Sequence, residues 1–280
     1  MIQDIFPRVL DNQYKNVEPN PNDWVLWFQG ENRGNGTICL KLVDGNIEFP
    51  KVSMTEKKEL QYLFSIDEER FFLLKAEDDS LLEDGFEMHP IGAVRKYGDI
   101  VNAFAAMTGF HLYVWYSESH FCGKCGGKTV HDDKLRMVRC SKCGHMIFPK
   151  IAPAVIIGLR YGDSIMISRY AGRAYKGRAL LAGFCEIGET PEETVVREVM
   201  EEVGLKATNV TYFGSQPWGL DSNLLLGYFA DVEGDINIRL DEEELESAGF
   251  VKREDIEPDD NLMSLTATMI EEFRMGRDRR

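Results

Sequence analysis

One stretch narrows the fold more than any other: Gly183-Phe-Cys-Glu-Ile-Gly-Glu189-Thr-Pro-Glu-Glu-Thr-Val-Val-Arg197-Glu198-Val-Met-Glu201-Glu202-Val-Gly204-Leu205. Thr190 with Glu193 has the pattern of a capping box, and Pro191 stands at the first helical position, where its missing N–H costs nothing. Val195, Val199 and Val203 recur at i, i+4 and i+8 as an apolar seam, and Gly204 can supply a left-handed terminal residue. The spacing predicts a helix over 191–203 lying on a sheet. Glu198, Glu201 and Glu202 then share one helical face, where like charges repel by a few tenths of a kcal/mol per pair. A solvated acidic face is the ordinary meaning of such a cluster. An oxygen-seeking divalent cation, Mg²⁺ or Mn²⁺, is the meaning under which repulsion becomes coordination.

A second pattern is independent of the first. Cys122-Gly-Lys-Cys125 and Cys140-Ser-Lys-Cys143 are separated by fourteen residues, and Gly126 and Gly144 follow the two pairs. Four soft ligands at this spacing suit tetrahedral Zn²⁺, and four sulfurs leave no open position, so the metal is expected to be structural. Such an ion would staple an insert too short to form its own core. Lys124, Lys128, Lys134, Arg136, Arg139 and Lys142 offset the charge of the thiolates, and they also leave open a surface that binds nucleic acid or a partner. Cys39 and Cys185 lack partners at ligand spacing and read as buried free thiols.

The rest of the chain supplies the frame. Its 280 residues suggest about two domains, and 44% hydrophobic with 28% charged residues describe a folded globular protein. A net charge of −15 disfavours nonspecific binding to nucleic acid or anionic membranes. Asp4 and Pro7 interrupt the apolar start that an export signal needs, and no run approaches the roughly 20 residues of a membrane span. A cytoplasmic location is the default expectation. Strands are predicted at 24–29, 37–43 and 71–74. A helix runs through Val94, Tyr97, Val101 and Phe104, stopped by Gly109 and the β-like His111-Leu-Tyr-Val-Trp-Tyr116. His89 and His111 read as ordinary histidines. Further on, 152–159 and 164–168 flank a turn at 161–163 as a hairpin, with strands at 210–213, 224–232 and 250–252 and a helix over about 264–274.

Written as a pattern, the first stretch is G-x5-E-x7-R-E-U-x-E-E-x-G-U, with U aliphatic. Its seven fixed identities recur by chance about once in 10⁸ starting points at ordinary residue usage. It resembles the signature of the Nudix hydrolases. The resemblance implies hydrolysis of a nucleoside diphosphate linked to another group, dependent on Mg²⁺ or Mn²⁺. Glu198, Glu201 and Glu202 match the metal-binding and water-activating glutamates, Glu189 matches the partner of Arg197, and the carbonyl of Ala182 matches a backbone metal ligand. The cysteine ribbon ahead of this stretch, the motif-poor N-terminal region and Ser215-Gln216-Pro217-Trp218 together look like the NADH pyrophosphatase branch. That branch cleaves NAD(H) to AMP and nicotinamide mononucleotide, and some members remove NAD caps from RNA.

By the same resemblance, Phe148, Phe184, Gln216, Pro217, Trp218 and Ser222 match substrate-side positions, and Glu244 matches an additional metal ligand or base. The proton acceptor stays open among Glu201, Glu202 and Glu244. Where the branch continues Pro-Phe-Pro, this chain reads Gly219-Leu220-Asp221, which is expected to loosen the nucleotide loop. A homodimer is implied by the resemblance alone. The expected fold is α+β: a mixed α/β domain over 1–118, a zinc ribbon over 119–149, and a Nudix α/β/α sandwich with a mixed sheet over 150–280. Two alternatives stay open: preference for ADP-ribose or another nucleoside diphosphate derivative, and a non-catalytic nucleotide-sensing adaptor.

Overall fold

A computed structural model of the chain describes residues 1–55, 59–76, 78–172 and 177–278. Contacts divide it into two compact units: residues 2–151 with 218–222, and residues 152–217 and 223–280 with Met1. No helix among the described residues is long and apolar enough to cross a membrane.

In the C-terminal unit we label β1 (Ala152–Tyr161), β2 (Ser164–Tyr170), β3 (Leu181–Phe184), α1 (Pro191–Val203), β4 (Ala207–Trp218), β5 (Asn223–Val232), β6 (Leu245–Lys252) and α2 (Leu265–Arg274). The six strands form one mixed sheet in the order β4-β5-β1-β2-β6, with β3 also paired to β1. β1 runs parallel to β5 and antiparallel to β2 and β3. The expected α+β fold with a mixed sheet is observed. Alternation along β1 sends Val155, Ile157 and Leu159 into the core under α1, while Ile156 joins the core under α2. The sheet therefore carries a helix-backed core on each face, as a layered sandwich requires.

Helix α1 has the predicted bounds for local reasons. The Thr190 side chain accepts from the Glu193 amide, Glu193 answers at the Thr190 amide, and Gly204 closes the helix at φ 69. Val195, Val199 and Val203 are fully buried. Each contributes roughly 1.5–3 kcal/mol, which outweighs the few tenths lost to glutamate repulsion. The seam, not the charges, decides that this helix forms.

The N-terminal unit contains two four-stranded sheets and the helix Ile100–Glu118. That helix corrects the expectation at Gly109 and residues 111–116, which are helical throughout. An ideal Cβ on Gly109 would lie 2.4 Å from Leu26 Cδ1 and 3.2 Å from Phe28 Cζ, so the glycine permits a close approach instead of ending the helix. Burial of Leu112, Trp115 and Tyr116 overrides their local β preference. The predicted period beginning at Val94 breaks at Gly98, φ 76, and the helix restarts behind Asp99, whose side chain accepts from the Asn102 amide.

Candidate active site and metal centre

The glutamate site is built from the β3 to α1 connection. Glu198 sits against the backbone of β3: a Cβ on Gly183 would fall 1.9 Å from its Cδ and 2.0 Å from its Oε1. Glycine at 183 is therefore what lets the carboxylate seat there. Glu198 is 8% exposed and Glu202 2%, whereas Glu201 faces solvent. Ala182, paired with Ile156, is the neighbouring residue on the same strand.

Arg197 organises the charges. Its Nε and Nη2 donate to Glu189 at 2.7 and 2.9 Å, its Nη1 donates to Glu198 at 2.7 Å and Glu201 at 2.9 Å, and Nη2 also donates to the Phe184 carbonyl at 3.0 Å. Thr194 Oγ1 and the Glu186 amide donate to Glu189 as well. These bonds, led by Arg197, hold the Glu189 carboxyl at about 2, and the same carboxylates raise Arg197 above its ordinary value. Glu198 moves the other way. Burial pushes its carboxyl up, Arg197 opposes this, and the Glu201 and Glu244 charges add to the rise. Glu244 thus lies within the electrostatic field of Glu198. It is held at the entrance to β6 by its carbonyl, which accepts from the Ala171 amide at 2.9 Å.

Buried hard-oxygen donors in one negative field fit an ion such as Mg²⁺ or Mn²⁺ in donor chemistry. Their oxygens are not drawn together, however. Among the described residues, the four cysteine sulfurs are the group of three or more possible ligand atoms within 4.8 Å of one another. Arg197 instead supplies the charge balance for Glu198 and Glu201.

Those sulfurs belong to a three-stranded antiparallel ribbon, Thr129–His131, Val138–Cys140 and Met146–Ile147. Cys122 and Cys143 are 3.8 Å apart and Cys125 and Cys140 3.5 Å, too far for disulfides at about 2.05 Å and near the ~3.8 Å edge of a tetrahedron with ~2.3 Å zinc–sulfur bonds. Gly126 and Gly144 turn at φ 69 and 73. The amides of Lys142 and Cys143 approach Cys140 Sγ at 3.4 Å. The donor set fits a structural Zn²⁺. Of the other thiols, Cys39 is buried, which pushes it up to about 12, while Cys185 is only half-buried, against expectation.

The expected substrate-side residues do not behave alike. Phe148 and Phe184 are exposed rings, Pro217 is exposed, and Ser222 is half-buried at φ 57. Gln216 is fully buried: its Nε2 donates to the Met263 carbonyl at 2.9 Å and its Oε1 accepts from the Leu265 amide at 2.8 Å. These two bonds anchor the start of α2. Trp218 is also buried. Its Nε1 donates to Asp221 at 2.9 Å, and the guanidinium groups of Arg95 and Arg33 lie 5.1 and 5.9 Å from its ring centroid.

Gly219-Leu220-Asp221, expected to loosen this loop, is packed on its neighbours. A Cβ at Gly219 would lie 2.0 Å from the Met107 carbonyl oxygen, Leu220 is buried, and Asp221 ties down Trp218. Two features of the site lay outside the sequence reading. Tyr228 donates to Glu192 at 3.0 Å across α1 and β5, and Gly183 cradles Glu198. The fixed glycine was visible in the pattern, but its contact was not.

Residues 150–273 match the family model for the NUDIX domain, and residues 117–148 match that for the NADH pyrophosphatase zinc ribbon domain. The chain carries a NUDIX domain behind an NADH pyrophosphatase zinc ribbon. NAD-capped RNA hydrolase NudC of Mannheimia succiniciproducens is 38% identical over 158 residues, which is 54% of this chain and 59% of that protein. The protein of the same name from Citrobacter koseri is 36% identical over 170 residues, 60% of this chain and 66% of the relative. This chain thus spans 59% and 66% of the lengths of those two relatives. A NUDIX hydrolase structure from Nitrosomonas europaea aligns with TM-score 0.46 and 20% identity, covering 56% of this chain and 91% of that one.

Proposed function

We propose that this chain is a pyrophosphohydrolase that cleaves NAD(H) to AMP and nicotinamide mononucleotide, and that it also accepts NAD-capped RNA. The observation that carries the reading is the buried Glu198 carboxylate, seated against Gly183 on one helical face with Glu202. The NUDIX domain, the ribbon and the relatives named for hydrolysis of NAD-capped RNA support the choice of substrate.

In this reading Glu198, Glu202 and Glu244, with the Ala182 carbonyl, hold Mg²⁺ or Mn²⁺. When bound, the cations neutralise the pyrophosphate oxygens and supply a water of lowered pKa. The chain's own residues do the rest. Arg197, fixed by Glu189, holds Glu198 and Glu201 in position. One carboxylate among Glu201, Glu202 and Glu244 takes the proton from the attacking water. The exposed ring of Phe184, beside Gly183 on β3, offers a face for a base. The reading includes a cytoplasmic homodimer, whose assembly sedimentation would report.

Glu202→Gln tests the assignment, because it removes a charge without changing shape. Turnover of NADH falls by orders of magnitude while the thermal midpoint stays near that of the parent. Near-parental turnover at saturating Mg²⁺ overturns the assignment.

A further inference from the structure

The N-terminal unit contains a cavity of about 520 Å³ bordered by its sheets, its long helix and the ribbon. This volume lies in the range of small-molecule sites. Two aromatic pairs line it: Phe28 with Tyr113, centroids 5.3 Å apart and stacked at 29°, and Tyr116 with His131, 5.0 Å apart at 52°. Lys75 contributes a cation to the same cavity. Its Nζ lies 2.6 Å from Glu59 Oε1 and 3.2 Å from His131 Nε2. An ammonium can only donate, so Nε2 accepts and His131 is neutral with its proton on Nδ1. Loss of hydration, followed by the adjacent Lys75 charge, pushes His131 down to about 4, in keeping with that assignment.

The chemistry of this wall is selective. Phe28 and Tyr116 are buried and back the more open rings of Tyr113 and His131, whose flat faces favour a planar ring, and the neutral imidazole can hydrogen-bond to a ring heteroatom. The Lys75 partner Glu59 is largely exposed, with 75% of its side chain in solvent, so an incoming anion can replace it at little cost. We infer that this cavity is a second ligand site, separate from the glutamate cluster, which takes a nucleobase ring carrying a phosphate on Lys75. The phosphate-bearing base has two sources, a free mononucleotide and a nucleotide within an RNA strand. The inference deepens the proposed function by naming a second contact for its product or its RNA substrate, and it rests on that reading only for the choice of probe.

The experiment is photolabelling of the full zinc-loaded chain with 8-azidoadenosine monophosphate in Mg²⁺-free buffer, followed by peptide mapping. Label is expected on peptides covering residues 113–138, and Lys75→Met should reduce it about tenfold, the equivalent of one charge-assisted hydrogen bond. Tyr113→Leu should reduce it as well, and unchanged thermal midpoints would show that both variants fold. Competition by AMP identifies the free mononucleotide as the source, and stronger competition by 5′-phosphorylated pentaadenylate identifies RNA; either supports the site. Label confined to the C-terminal unit, or label at 113–138 that is indifferent to Lys75→Met, overturns it. AMP release from NADH is scored separately, so failure of this site and failure of the proposed activity are told apart.

Discussion

Gly183→Ala separates the catalytic reading of Glu198 from a structural one. The new methyl would lie 1.9 Å from Glu198 Cδ, 2.0 Å from Oε1 and 2.4 Å from Oε2. Ordinary contact needs about 3.4 Å or more, so the carboxylate must retreat by roughly 1.5 Å, which strains its 2.7 Å bond to Arg197. The backbone at 183 is outside the left-handed region, so alanine itself brings no backbone strain. Overpacking then costs roughly 1–3 kcal/mol, partly offset by about 0.4–1 kcal/mol from the stiffer unfolded chain. The expected fall in thermal midpoint is a few degrees. Activity should fall much further, since a misplacement of about 1 Å costs on the order of 10²-fold in rate. Steady-state NADH hydrolysis beside differential scanning calorimetry reads both quantities. A variant with parental kcat refutes the placement of Glu198 in the reaction. Equal collapse of fold and rate would show that Gly183 serves packing alone.

Other consequences can be checked alongside it. Glu189 is held at about 2, below its ordinary value near 4.5, so its contribution to stability is present above about pH 4.5 and is lost as pH falls toward 2. Glu189→Gln should flatten that acid limb in pH-dependent unfolding, and an unchanged limb contradicts the Arg197 bridge. Cys140→Ser should lower bound zinc from near one per chain toward zero and destabilise the ribbon; a parental protein free of zinc by elemental analysis contradicts the four-sulfur site. Gln216→Ala removes two buried hydrogen bonds at a cost of about 2–4 kcal/mol, counting the groups left unpaired. KM for NADH should stay unchanged if Gln216 serves only as an anchor, and a raised KM with parental stability would make it a substrate contact.

The parts legible in the sequence are those whose causes are local. Helix α1 announced both ends through Thr190, Glu193, Pro191 and Gly204, and the ribbon announced itself through cysteine spacing. The illegible parts depend on contacts distant along the chain. Nothing local told that Gly109 faces Leu26, or that residues 111–116 would be helical because their apolar faces are buried. The four-residue strand β3 is too short for an alternation to register, although it carries Gly183. The strand expected at 210–213 stops short of Gln216 and Trp218, which lie on β4, and their partners Leu265, Met263 and Asp221 decide what they do.

Cleavage of the dinucleotide bond by the glutamate face of α1 is what the proposed function requires. Incubation of the purified chain with NADH and Mg²⁺ or Mn²⁺, followed by chromatographic separation of products, tests it directly. AMP and reduced nicotinamide mononucleotide are expected in equal amounts, dependent on the added cation. Absence of AMP, with ADP-ribose hydrolysed under the same conditions or with no nucleotide turned over, contradicts it.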